Sequence, residues 1–471
     1  MGWRERVQRD RVGRSMRMAR RALVLLAVLM LAAIWPAGGG TTADQTPALP
    51  FYGIQFRDIL SQRDLLAPAG DAGAELIRVN LRWAEVEPTN TNPPTYVWDK
   101  YDALFGAMAQ AGFAIMVTVR DNPSWAATTP CGPIDKVPAG RLVSFLQAAV
   151  ARYSGAPYHI KYWELYNEPD NQRPDMHQQG GCWGQYPAQY AALLGQVYPA
   201  VKAADPQAQV VFGGLALELL EDYFNHMFLN QVLTSPGGKQ FDVMNFHYYR
   251  AFHWRWDPFG KDLIGKTAYV RGVMAQAGLQ KPIILTEVGY PSVGPAEDGQ
   301  DYSEEASSRY LMQAHARAHA AGLRAIVWFE MMDDPDDPRK YGLLRADGSA
   351  KPSYTAYQTF TRELAGLPYL RDASQGTLEA YAFDAGDREK LVCWSETVTQ
   401  TMSLPAIGVW IVDKAGRRSG VLDGSPEDLD GRRDGVTSFP VGPEPRIVYP
   451  LVRSELPRPA AYLPRMSRGA R

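Results

Sequence analysis

Several things are scarce in this chain of 471 residues, and each scarcity removes a class of explanation. Only three cysteines are present, too few for a disulfide framework, so stability must come from a buried core. There is no GxGxxG and no GxxxxGK[ST], so neither of the Gly-rich turns that cradle phosphates marks a nucleotide site. No strong excess of charge exists either: the formal balance of −2 gives no reason to expect a nucleic-acid partner. Long apolar runs are nearly absent, the exception being Ala22 to Trp35. That run is 14 residues long, shorter than the roughly 20 needed to span a bilayer.

What surrounds that run gives it a meaning. Arg17, Arg20 and Arg21 precede it and small residues follow, the order found in export signals. Residues 1–43 are therefore expected to be an export signal, cleaved near Ala37 or Ala43, or else an N-terminal anchor. The protein is expected outside the cytoplasm, touching membrane only if this segment stays uncleaved.

The remainder has an ordinary globular composition, 46% hydrophobic and 21% charged, enough for a large core and more than one domain. From Phe51 onward, short β-rich runs alternate with segments of helical composition. The runs are FYGIQF (51–56), AELIRVNL (74–81), AIMVTVR (114–120), IKYWELYN (160–167), QVVFGGLA (209–216), FDVMNFHYY (241–249), PIILTEVGY (282–290) and AIVWFEMM (325–332). Between them lie stretches such as DKYDALFGAMAQAG and EEASSRYLMQAHARAHAAG, several stopped by Gly just before the next run. Eight strand–helix repeats predict a (β/α)8 TIM barrel over residues 46–367, rather than an open doubly wound sheet. After Pro368 the apolar runs come too close together for helices, and residues 368–453 are expected to form a small antiparallel β domain resembling a sandwich. The basic, Pro-rich residues 454–471 are expected to be a disordered tail.

A barrel of this kind carries its chemistry where the strands end, on the C-terminal rim. The fourth run closes on Asn167-Glu168-Pro169, the proline stopping the ladder and leaving Glu168 at the rim. The seventh closes on Thr286-Glu287. One such glutamate alone is weak evidence, because rim carboxylates are commonly solvated or ion-paired. Two on opposite strands are what glycosidic cleavage needs, one protonated to assist the leaving oxygen and one ionised to attack or activate water.

With YNEP on strand 4, LTEVGYP on strand 7 and NFHYY on strand 6, the chain resembles the (β/α)8 superfamily of retaining glycoside hydrolases called clan A, near the families of β-xylosidases and cellulases. The resemblance covers about Phe51 to Arg362. It implies Glu168 as acid/base and Glu287 as nucleophile. It further implies that Asn167 binds the sugar 2-hydroxyl, that His247 and Tyr249 stand near the nucleophile, that Arg78 supports it, and that Trp328 floors the subsite of the cleaved sugar. Strand 3 ends VRDNPSW where several of those families carry His, a departure that leaves the family open. Trp125, Trp183 and Trp254 fall in rim loops, where flat aromatic faces stack on sugar rings or simply pack.

Other motifs read more plainly. His315 and His319 in HARAH stand four apart but lack the Glu of HExxH, and are expected to be surface residues of an outer helix. Asp333, Asp334, Asp336 and Asp337 in MMDDPDDP do not match a calcium-binding loop and are expected to form a solvated acidic loop. Cys131 and Cys182 lie in the loops after strands 3 and 4 and are expected to pair, leaving Cys393 buried. No metal or cofactor is expected; the partner is an oligo- or polysaccharide. The reading from another class is a catalytically idle barrel that binds glycan or organises an envelope partner, which would have no physical need for both glutamates.

Overall fold

The computed structural model describes residues 49–57, 63–173, 182–217, 223–294 and 301–455. The expected export segment 1–43 and the tail from 456 onward lie outside the described residues.

Eight parallel strands form one sheet: β1 (Tyr52–Gln55), β2 (Leu76–Arg82), β3 (Ala114–Arg120), β4 (Tyr162–Leu165), β5 (Gln209–Val211), β6 (Met244–Tyr249), β7 (Ile283–Gly289) and β8 (Ile326–Trp328). They run in the order β5-β4-β3-β2-β1-β8-β7-β6. Parallel bridges from Val211 to Val243 and from Leu215 to Phe246 join the two ends, so the sheet closes as a barrel. Helices cover its outside, and their ends follow local chemistry. Helix Asp99–Gln110 stops before Gly112, held at φ 86°, and helix Glu304–Ala320 stops before Gly322 at φ 66°, a region where a side chain would be strained. The latter helix starts on Ser303, whose Oγ accepts the Ala306 amide at 3.1 Å.

Strand alternation divides the residues between two environments. Leu76, Met116, Val211, Ile284 and Val327 point into the barrel and fill its lower interior, while Ile77, Val117, Val210, Leu285 and Ile326 pack outward against the helices.

The C-terminal domain contains β9 (Tyr369–Asp372), β10 (Leu378–Asp384), β11 (Glu389–Ser395), β12 (Gln400–Leu404), β13 (Gly408–Asp413), β14 (Arg418–Leu422), β15 (Thr437–Val441) and β16 (Arg446–Pro450). Six of them form an antiparallel sheet in the order β14-β13-β16-β11-β10-β9, and β12 pairs with β15. One face of the larger sheet, with Ala380, Cys393 and Ile411, packs with Phe439 and Val441 of the small pair. The other, with Tyr381, Phe383, Val392 and Trp394, joins the core of the barrel's helices.

That second contact corrects the reading of HARAH. Helix Glu304–Ala320 is covered on both sides, and His315 is only 1% exposed. Its Nδ1 contacts the Leu311 carbonyl at 2.8 Å, and His319 stacks on Phe51 with ring centres 3.8 Å apart. Burial lowers His315 to about 4 and His319 to about 3, so both are neutral packing groups, His315 buried and His319 half-buried.

Candidate active site

One step above the apolar interior the barrel changes character. The same inward positions, two residues further along their strands, carry Gln55, Arg78, Thr118, Glu164, Asn245 and Thr286, all buried. Glu164 is the hub of this polar layer. It accepts from Arg78 Nε and Nη2 at 2.8 and 2.9 Å, Thr118 Oγ1 at 2.6 Å, Asn245 Nδ2 at 2.9 Å and the Gly214 amide at 2.9 Å. A carboxylate with no exposed surface is tolerable only with such saturation. Glu164 was not singled out from the sequence; it looks like one polar residue in the run YWELY, and only strand parity marks it as inward.

Above this layer stand the two glutamates. β4 ends at Leu165, and the chain then turns through left-handed backbone at Tyr166 (φ 62°) and Glu168 (φ 45°). Such conformations cost about 1–3 kcal/mol in non-glycine residues and persist where the surroundings impose them. Here the turn sends Tyr166 outward to donate to Asn122 Oδ1 at 2.6 Å, and leaves Asn167 and Glu168 facing the cleft. The Glu168 amide is held by the Gly214 carbonyl at 2.9 Å. On β7 a bulge does the equivalent work. β6 pairs Phe246 with Leu285 and then His247 with Glu287, so Thr286 is an extra residue and Glu287 turns inward where strict alternation would turn it out.

The result is a compact constellation. Glu168, His247 and Glu287 each bring one ligand atom within 4.8 Å of the others. His247 Nδ1 lies 3.1 Å from Glu168 Oε1 and 3.7 Å from Glu287 Oε2. Burial first, then the charges of Arg78 and Lys266, lowers the His247 pKa well below its usual value, so the ring is neutral. Tyr249 donates to Glu287 Oε1 at 2.5 Å, and burial beside Glu287 keeps its hydroxyl protonated. Arg78 Nη1 reaches Glu287 Oε2 at 3.3 Å, while its Nη2 donates to Asn167 Oδ1 at 2.7 Å. That bond orients the Asn167 amide so that its NH₂ is the group left to donate. Among the described residues this trio is the group spaced to hold a metal ion. The Arg78 guanidinium and the Tyr249 hydroxyl already engage Glu287, and a cation there would meet the positive charge of Arg78.

One expected site residue lies elsewhere. Trp328 is wholly buried and faces outward, its ring stacked on His315 with centres 6.3 Å apart, so it floors nothing. The parity of β8 explains the correction: Val327 points in, Trp328 points out, and the next rim residue facing inward is Phe329. Phe329 is half-buried and edge-on to Tyr249 and Tyr341, with centres 6.4 and 5.6 Å apart. Trp125 is at the rim but engaged in packing: it stands edge-on to Trp83 at 5.4 Å, donates to the Glu87 carbonyl at 3.0 Å and lies under Arg141. Of the other loop tryptophans, Trp183 is buried against Tyr166 and Tyr190, whereas Trp254 is 59% exposed.

The acidic run after β8 is also less solvated than expected. Arg57, lying over the Phe329 ring, bridges Glu330, Asp334 and Asp337, and Asp333 pairs with buried Lys351 at 2.7 Å. Cys131 and Cys182 are joined, with Cα atoms 4.9 Å apart, tying the loops after β3 and β4; Cys393 is a buried free thiol.

Against known proteins, residues 42–328 match the family model "Cellulase (glycosyl hydrolase family 5)". No curated protein matches the chain. Among solved structures, a family 39 glycoside hydrolase from the gut symbiont Bacteroides cellulosilyticus WH2 superposes with a TM-score of 0.66 at 19% identity, over 86% of this chain and 81% of that one. A family 30 endoxylanase from Clostridium papyrosolvens C71 gives 0.57 at 11% identity, over 87% and 98%. A thermostable family 51 α-L-arabinofuranosidase from Thermotoga petrophila RKU-1 gives 0.56 at 10% identity, over 85% and 97%. At these identities the superpositions establish a shared fold.

Proposed function

The chain belongs to the cellulase family, glycosyl hydrolase family 5, and is a glycosidase of the retaining clan A; from that premise we propose that it hydrolyses a β-linked oligo- or polysaccharide outside the cytoplasm, with Glu287 as nucleophile and Glu168 as acid/base. The observation that carries the assignment is the spacing of the two carboxylates, with oxygens within 4.8 Å of each other. Retaining enzymes hold their carboxyl groups about 5–5.5 Å apart, whereas an inverting water needs roughly 6.5–9.5 Å.

In the first step Glu287 attacks the anomeric carbon while Glu168 gives its proton to the departing oxygen. In the second, Glu168 takes a proton from water, which displaces Glu287 from the sugar and restores the original configuration. Tyr249 and Arg78 aim Glu287, as a nucleophile needs, since each donates to a different oxygen. Neutral His247 beside Glu168 provides polarity without adding a charge that would oppose proton transfer. In this reading Asn167, its amide oriented by Arg78, donates to the sugar 2-hydroxyl. The export reading is supported by the Arg-rich start and apolar run at Arg17–Trp35 and by a disulfide suited to an oxidising compartment.

A panel of aryl β-glycosides tests the proposal. Hydrolysis is expected for at least one, with the first-formed product keeping the β configuration by proton NMR and with activity lost in Glu287→Ala. A product of inverted configuration would overturn the mechanism.

A further inference from the structure

Tyr249 closes β6, and the next residue leaves the cleft for the C-terminal domain. Arg250 donates through Nη2 to Glu396 Oε2 at 2.8 Å and through Nη1 to Gln313 Oε1 at 3.4 Å, and its Nε lies 3.8 Å from Asp262. Glu396 immediately follows β11, and its other oxygen accepts from Arg317 Nη2 at 3.0 Å. Arg317, with no exposed surface, also holds Glu379 of β10 through two bonds of 2.9 and 2.7 Å, and pairs with Asp262 at 2.9 Å. Lys261 pairs with Glu379 as well. Three cations and three carboxylates therefore meet, balanced in charge, between the barrel and the C-terminal sheet.

Stability alone is a poor account of such a cluster, because apolar packing of the same volume generally stabilises as much without the cost of desolvating charge. What charged, directional contacts supply is a fixed geometry. Arg250 is bonded through its main chain to Tyr249, whose hydroxyl must reach Glu287 at 2.5 Å. We infer that Glu396 is a positioning residue: by anchoring Arg250 it sets the end of β6 and holds the Tyr249 hydroxyl on Glu287, which makes the C-terminal domain a working part of the active site. The inference rests on the reading of Glu287 as nucleophile.

The consequence for Glu287 has a definite sign. A hydroxyl donor favours a charged carboxylate, so withdrawing it moves the acidic limb of the kcat/KM profile upward. The groups facing Glu287 are Arg78, Glu168, His247 and Tyr249, with Tyr341 packed behind Tyr249. None of these named groups belongs to the C-terminal domain, and Arg250, next to Tyr249 in the chain, ties that domain to the end of β6.

The test compares the full chain with Glu396→Gln, Tyr249→Phe, the double variant, and Tyr381→Phe, which loses a bond to Glu379 without touching Arg250. Glu396→Gln and Tyr249→Phe are each expected to move the acidic limb up by about one unit, with kcat falling more than KM rises. The double variant should move it no further than Tyr249→Phe alone, and Tyr381→Phe should leave it in place. A crystal structure of Glu396→Gln should show the Tyr249 hydroxyl withdrawn from Glu287; if Glu396→Gln does not fold, Arg250→Gln is read by the same two measures. An unmoved limb, additive shifts, or a Tyr249–Glu287 contact kept at its original length would overturn the inference. A chain on which Glu287→Ala has no effect would sink the nucleophile assignment instead, while the crystallographic comparison still decides the role of Glu396.

Discussion

Arg78 and Glu164 are both within 1% of complete burial and are joined by two hydrogen bonds of 2.8 and 2.9 Å, directly beneath the candidate nucleophile. Removing only one charge of such a pair strands the other in a medium that solvates it poorly, at a cost of about 3–5 kcal/mol. Glu164→Ala should therefore lose roughly that much stability, read from urea unfolding. The double variant Arg78→Met, Glu164→Leu should recover most of the stability and none of the activity, because Glu287 and Asn167 lose the donor that orients them. Equal stability of the single and double variants would contradict this account.

The same layer shows where the sequence was informative and where it was not. The eight strands were legible because each is an apolar run bounded by turn residues, and Asn167-Glu168 and Thr286-Glu287 were legible because they end two of those runs. Which way a side chain points was harder. Glu164 and Trp328 differ from their neighbours only by parity, and the bulge at Thr286, which brings Glu287 inward, leaves no mark in LTEVG. In the C-terminal domain, β9, β14 and β15 carry little sequence signal because YLRD, RSGVL and TSFPV are short and rich in charged, Gly or Pro residues. Their pairing is a tertiary fact, as is the cover over helix Glu304–Ala320.

Acid stability should report on Glu396. Burial alone would raise its pKa, but Arg250 and Arg317 hold it down to about 2. A carboxyl depressed in the folded state stabilises the fold above its unfolded pKa, and that stabilisation is lost as pH falls from about 4.5 through about 2. The full effect is about 3 kcal/mol before screening. Glu396→Gln should thus be less stable than the wild type at pH 7, with the gap narrowing steadily below pH 4.5. A gap of constant size between pH 7 and pH 3 would show that Glu396 does not titrate in this way.

Trp328 and Phe329 are neighbours with opposite expected phenotypes. Trp328→Ala empties a fully buried site outside the barrel and should cost about 3–5 kcal/mol of stability. Phe329→Ala removes a half-buried ring beside Tyr249 and Tyr341, and should lower stability far less. If the ring stacks on a sugar face, a contact worth about 1 kcal/mol, its loss should raise KM roughly fivefold. Thermal melts and steady-state kinetics on the two variants check both halves. A large KM effect in Trp328→Ala with unchanged stability would restore that tryptophan to the site.

The roles of the two glutamates separate by leaving-group chemistry. An acid matters in proportion to how badly the departing oxygen needs a proton, whereas a nucleophile is required whatever departs. Glu168→Ala should therefore cripple cleavage of substrates with basic leaving groups, by about 10²–10⁴-fold, yet spare the first step on activated aryl glycosides. With that step intact and the second slowed, the glycosyl-enzyme on Glu287 should accumulate and be visible by mass spectrometry of the intact protein. Glu287→Ala should abolish turnover of both kinds of substrate alike and form no such adduct. The proposed assignment also fits their partners: Glu287 accepts from Arg78 and Tyr249, while Glu168 faces neutral His247. If both variants show the same dependence on leaving group, or if the adduct forms on Glu168, the roles are reversed.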